Sequence, residues 1–219
     1  MIILIGNQKG GVGKSTIACN ISGMLATRGK DVMLVEADTQ QTSTEWVSIR
    51  REEHPNVSKV HSVQKLGDVD DALIDLNNRY EYVIVDAAGR DSIELASALL
   101  VCHTVVIPFR ASQADLARLP HMARMIKTSR LVNSSIRVLS FINSAPTNTQ
   151  GLDVELARTA IAQFPGIDLL ETIVHDRRIY RDTIAEGLTV EEMSDKSPSA
   201  MTARNEMTSL LEEILSEAI

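Results

Sequence analysis

The stretch Gln8-Lys9-Gly10-Gly11-Val12-Gly13-Lys14-Ser15-Thr16 decides how the rest of the chain is read. It follows the apolar run Ile2-Ile3-Leu4-Ile5, which predicts a buried strand, and precedes residues 17–28, which predict a helix. Strand, glycine-rich loop, Lys-Ser and helix is the context that a phosphate-binding loop requires. Gly10, Gly11 and Gly13 let the backbone curl, so that successive N–H groups converge on an anion. The helix N-terminus behind them adds partial positive charge. Lys14 would reach the β- and γ-phosphates of a nucleotide, and the Ser15 hydroxyl would hold Mg²⁺. A dinucleotide-binding fingerprint is disfavoured, because Thr16 stands where G-x-G-x-x-G needs its last glycine.

Outward from this loop, strand-like and helix-like segments alternate. Further strands are predicted over residues 31–36, 57–63, 82–86, 104–109, 138–143 and 169–174. Helices are predicted over 40–51, 66–78, 93–101, 115–131, 152–163, 179–186 and 199–219, with Pro120 in a first turn or at a kink. The alternation predicts one α/β domain over residues 1–219, a mostly parallel sheet with helices on both faces. Ligands then sit at the carboxyl ends of the strands.

Composition narrows the classes. Apolar residues make up 44% of the 219 and aromatics 3%, so the core should be aliphatic. Cys19 and Cys102 are isolated, which argues against a zinc site or a cysteine-held cluster and for buried free thiols in a reducing compartment. No apolar run approaches the ~18 residues of a membrane span, and the chain opens directly in its first strand. A cytoplasmic location is expected. The net charge of −7 argues against a generally basic nucleic-acid binder. The charge is uneven, however: residues 191–219 hold seven acids and two bases, leaving room for a basic face elsewhere.

The loop departs from G-x-x-x-x-G-K-[ST] at Gln8, where a glycine is usual. It fits K-G-G-x-G-K-[ST] instead, with an extra lysine at Lys9. In this form it resembles the deviant Walker A motif of ParA/MinD-type ATPases, a group that includes plasmid- and chromosome-partitioning proteins. The resemblance implies a P-loop NTPase fold, ATP and Mg²⁺ as cofactors, and a homodimer in the ATP state. In that dimer Lys9 would reach across to the partner's nucleotide. Glu36-Ala37-Asp38-Thr39-Gln40 resembles the family's switch I, D-x-D-P-Q, with Asp38 as the aspartate that positions the attacking water or the metal shell. Glu36 replaces the first aspartate and Thr39 the proline. Asp38 also suits a helix N-cap over the following helix, and the two roles are compatible.

Asp86, after Tyr82-Val83-Ile84-Val85, has the layout of an aspartate that binds Mg²⁺ through water in P-loop NTPases. Gly89 resembles the switch II glycine whose N–H meets the γ-phosphate, although the family's proline near Ala87-Ala88 is missing. Asn143, at the end of a strand, offers a donor and an acceptor to an adenine edge and equally fits a turn.

Two basic sets remain: Arg118, Arg124, Lys127 and Arg130 on one predicted helix, and Arg177, Arg178 and Arg181 at the start of another. Singly these are solvated surface. Together they could contact phosphates. The resemblance implies non-specific DNA binding by the ATP-bound dimer, nucleoid association in that state, and a small centromere-binding partner protein that stimulates hydrolysis. A membrane-cycling relative would need a basic amphipathic C-terminal helix, and this one is acidic, so no membrane partner is expected. A metabolic enzyme on the same fold, or an accessory ATPase of conjugation or cellulose synthesis, are the rival readings.

Overall fold

The computed structural model describes residues 1–89, 92–147 and 152–216. Strands and helices alternate as β1 Ile2–Ile5, α1 Lys14–Thr27, β2 Val32–Ala37, α2 Thr42–Glu53, β3 His61–Gln64, α3 Asp70–Asn77, β4 Tyr82–Ala87 and α4 Ile93–Leu99. They continue as β5 Thr104–Phe109, α5 Gln113–Leu116, α6 Leu119–Ser129, β6 Arg137–Ala145, α7 Leu152–Ile161, β7 Asp168–His175, α8 Arg178–Glu186 and α9 Pro198–Leu215. The strands form one seven-stranded sheet in the order β3-β2-β4-β1-β5-β6-β7. Every strand pair among the described residues is parallel. The α/β expectation therefore holds, with β1 at the centre of the sheet.

Alternation along β1 sends its side chains to two cores. Ile3 and Ile5 join Leu34, Ile84 and Val106 under α1, α2, α8 and α9. Ile2 and Leu4 join Val35, Val83, Val85 and Ile107 under α3, α4 and α6. Both layers are aliphatic apart from a few rings, with Trp46, Phe109 and Phe141 fully buried. Both cysteines are buried free thiols.

Several boundaries differ from the sequence reading. The helix expected over 115–131 is two, α5 and α6, because Pro120 cannot donate to a preceding turn and sits in the first turn of α6. Residues 66–69 are not helical. Their backbone N–H groups go to α4 instead, Gly67 to Glu94 Oε1 at 2.8 Å and Val69 to Ser97 Oγ at 2.7 Å. The strand expected at 57–63 is His61–Gln64. The last residues of the C-terminal helix expectation, 217–219, fall outside the described ones.

The acidic C-terminal stretch turns inward. Glu192 holds Arg50 at 2.6 Å, Glu206 holds Arg177 at 2.8 Å, and Glu213 accepts from the backbone N–H groups of Glu171 and Thr172 on β7. Leu210, Leu211 and Ile214 of α9 are fully buried. This helix is a wall of the core.

Candidate functional site

The loop between β1 and α1 turns through two left-handed glycines, Gly11 at φ 73° and Gly13 at φ 90°. Gly13 caps α1, so Lys14 is the first helical residue and the loop's N–H groups face the helix entrance. A Cβ on Gly13 would lie 2.4 Å from Asn143 Nδ2, and that amide donates to the Val12 carbonyl at 2.6 Å. Asn143 thus braces the loop from the end of β6. Val12 is buried, while Gly10 and Gly11 are exposed at the mouth.

Lys14 is buried, and its Nζ donates to the Lys9 carbonyl at 3.3 Å. Burial pushes its pKa down, while the carboxylates of Asp86 and Asp38 favour the charge. The loop thus closes on a buried cation with acids near it. Lys9 is exposed and makes no side-chain ion pair among the described residues. A Cβ on Gly89 would stand 3.3 Å from Gly10 N and 3.4 Å from Lys14 Nζ, so the turn after β4 packs directly on the loop.

Glu36 and Asp86 end neighbouring strands in the same register. Both are buried, and both bond Ser43 of α2. Glu36 Oε2 accepts from Ser43 N at 2.6 Å and Thr44 N at 3.2 Å, so Glu36 caps α2. The alternative role for Asp38 as that cap is not what the structure shows: its Oδ1 accepts from Gln40 N at 3.0 Å, within its own turn. Burial, then the neighbouring Asp86, pushes the Glu36 carboxyl up to about 7. Burial also raises Asp86, against hydrogen bonds from Ser43 and Ser15 and the charge of Lys14.

One oxygen of each buried carboxylate, Glu36 Oε1 and Asp86 Oδ1, has no hydrogen-bond partner among the described residues. Mg²⁺ fits here, since hard oxygen donors suit it and it keeps several waters. Ser15 and Asp86 would hold it, with Asp38 at the rim.

One cavity of about 770 Å³ lies at the carboxyl ends of the strands. Gly10, Gly11, Gly13, Lys14, Ser15, Thr16, Asp38, Gly89 and Asn143 all reach it. The far wall includes Arg177 and Arg181 of the basic set, together with residues that sequence pattern does not single out: Arg110 after β5, and His175, Asp176 and Tyr180 around the β7–α8 corner. Arg177 belongs to this wall, with its side chain 13% exposed against Glu206. Arg178 and Arg181 reach solvent and pair with Asp182 at 3.3 Å and Asp176 at 2.9 Å. On α6, Arg118, Arg124 and Lys127 are exposed, and Arg130 donates to the Gly166 carbonyl.

Ser43 was also missed. Its signal was a run of hydroxyls, Thr42-Ser43-Thr44, opening the helix after an acidic strand end.

The chain resembles known proteins along most of its length. Residues 3–190 match the CobQ/CobB/MinD/ParA nucleotide binding domain. The chain is 28% identical over 214 residues to the maintenance of carboxysome distribution protein A of Halothiobacillus neapolitanus, covering 97% of this chain and 95% of that one. It is 25% identical over 241 residues to the chromosome-partitioning ATPase Soj of Thermus thermophilus, covering 97% and 94%. The fold superposes on the septum site-determining protein MinD of Pyrococcus horikoshii, complexed with Mg-ADP, with a TM-score of 0.77 at 16% identity, over 99% of this chain and 96% of that one.

Proposed function

The chain belongs to the CobQ/CobB/MinD/ParA nucleotide-binding family, and from that premise we propose that it is a single-domain, Mg²⁺-dependent ATPase that dimerises around ATP and positions or partitions a cellular cargo. The observation that carries this reading is Lys14, a buried lysine held by a loop carbonyl at the mouth of a glycine turn. Phosphoryl transfer needs positioning and charge neutralisation more than covalent chemistry. The loop N–H groups and Lys14 would bind the β- and γ-phosphates, and Ser15 and Asp86 would hold Mg²⁺. The bound ion would neutralise charge across the phosphates. Asp38, at the rim, would orient the attacking water. Exposed Lys9 is free to reach a partner's nucleotide, which makes the ATP-bound homodimer the active form.

In that dimer the chain would bind DNA without sequence preference, through phosphate contacts from Arg178 and Arg181 with Arg177 behind them. It would associate with the nucleoid and respond to a small centromere-binding protein. A second reading, positioning of a protein cargo on DNA, is favoured by likeness along nearly the whole chain to the carboxysome distribution protein. Membrane cycling is disfavoured by the burial of the apolar face of α9, and no helix among the described residues is long and apolar enough to cross a membrane. A phosphate-release assay with ATP, with and without Mg²⁺, tests the reading. Metal-dependent release supports it, and its absence even with DNA present would contradict the ATPase assignment.

A further inference from the structure

One carboxylate on the C-terminal helix gathers the far wall of the cavity. Glu206 Oε1 faces His175 Nδ1 at 2.8 Å and accepts from Arg177 Nη2 at 2.8 Å. Its Oε2 accepts from the Tyr180 hydroxyl at 3.0 Å and from His175 N at 3.3 Å, and Arg177 Nε spans both oxygens at 3.2 and 3.3 Å. The Glu206 side chain is 9% exposed. His175, Arg177 and Tyr180 all line the cavity that contains the phosphate loop, whereas Glu206 lies behind them.

The loop end of that cavity is built by β1, α1 and β4. The end held by Glu206 is built by the β7–α8 corner. On the nucleotide reading the triphosphate would fill the first and the nucleoside would rest against the second. We infer that Glu206 is a positioning residue for the nucleoside end of the site, fixing three wall residues from a helix that itself touches no nucleotide. The inference rests on the reading of this cavity as a nucleotide site.

The chemistry of the cluster is specific to a carboxylate. Backbone N–H, guanidinium N–H and the tyrosine hydroxyl all present hydrogens to Glu206, so both of its oxygens must accept. A glutamine would turn its NH₂ against donors at one of those positions. It would also leave the Arg177 charge without its partner.

The experiment compares wild type, Glu206→Gln and Glu213→Gln. Glu213 also ties α9 to β7, through backbone N–H groups outside the cavity wall, and so serves as a control for loosening the helix. Affinities for ATP and for inorganic tripolyphosphate, each with Mg²⁺, are measured by calorimetry, and KM and kcat by phosphate release. Glu206→Gln should weaken ATP about tenfold, the size of one lost charge-assisted contact, and raise KM in step. Its tripolyphosphate affinity and kcat should stay within about twofold, since the phosphate end is untouched. Glu213→Gln should leave the ATP-to-tripolyphosphate ratio at the wild-type value. Tyr180→Phe, which removes one donor and keeps the ring, should give the same split at smaller size and stands in if Glu206→Gln does not fold. Unchanged ATP affinity in Glu206→Gln, or equal weakening of both ligands, would overturn the inference. Wild type that binds neither ligand would overturn the nucleotide reading itself, and the inference with it.

Discussion

Glu36 and Asp86 stand side by side at the ends of β2 and β4, and Ser43 bridges them. Its N–H donates to Glu36 Oε2 at 2.6 Å and its hydroxyl to Asp86 Oδ2 at 2.5 Å. Burial, and then the charge of the adjacent Asp86, push the Glu36 carboxyl up to about 7. In the nucleotide-free protein the folded state therefore keeps a proton on Glu36 that the unfolded chain gives up near its ordinary 4.5. This group's contribution to stability is present below about pH 4.5 and lost as pH rises through about 7. Glu36→Gln removes that titration and keeps an acceptor for the Ser43 and Thr44 N–H groups. Without Mg²⁺ or nucleotide, the variant should melt higher than wild type at pH 8, by an amount equivalent to roughly 1 kcal/mol. The difference should shrink toward pH 5. Melting curves across pH 5–8 check it, and equal curves at pH 8 would contradict it.

Gly13→Ala should disable the loop. The position needs φ 90°, and the new methyl would meet Asn143 Nδ2 at 2.4 Å. Left-handed strain and the lost Asn143–Val12 brace together should cost roughly 1–3 kcal/mol. Thermal melts and ATP titration read both effects, with nucleotide affinity falling about tenfold or more. Wild-type affinity in this variant would mean that the loop geometry is not what binds.

Lys9 and Asp38 should separate binding from turnover. The Lys9 side chain lies at the exposed mouth and Asp38 at the rim of the cavity. Lys9→Ala should bind ATP near wild-type affinity yet fail to dimerise or hydrolyse. Asp38→Ala should bind and dimerise but turn over poorly. Sedimentation with ATP beside a phosphate-release assay reads all of these. A Lys9→Ala protein that dimerises and hydrolyses like wild type would remove the case for a shared nucleotide.

DNA binding should require ATP and ignore sequence. Each phosphate neutralised contributes about −0.9 to the slope of log affinity against log salt, so a dimer making about four contacts should show a slope near −3.6. Replacing Arg178 and Arg181 together by alanine should flatten that slope and weaken two unrelated duplexes alike, since phosphate contacts carry no base information. Binding that ignores nucleotide, or that prefers one duplex strongly, would contradict the account.

The parts of the site that were legible in the sequence are those that lie close together along the chain. The loop at residues 8–16 carries its own geometry in its glycines, and Asp86 is announced by the apolar strand before it. The rest depends on contacts between distant segments. Nothing local says that Glu36 caps α2, because the helix begins at Thr42 and the carboxylate reaches it from the end of β2. Asp38, nearer in sequence, suits a cap by local pattern but bonds Gln40 N within its own turn. Likewise, the sequence shows that residues 191–219 are acidic but not what their acids hold. Their partners, Arg50, Arg177 and the backbone of β7, lie tens of residues upstream, and pattern along a helix does not reveal them. Pro120 was legible as a break, but α5 before it is too short for periodicity to separate from α6.

The central claim is that the loop around Lys14 binds ATP. Calorimetric titration of wild type and Lys14→Ala with ATP and Mg²⁺ tests it most directly. Charge-assisted contacts of this kind contribute ~1.5–3 kcal/mol each, so the variant should bind at least about tenfold more weakly. Equal ATP affinity in the two proteins would contradict the account.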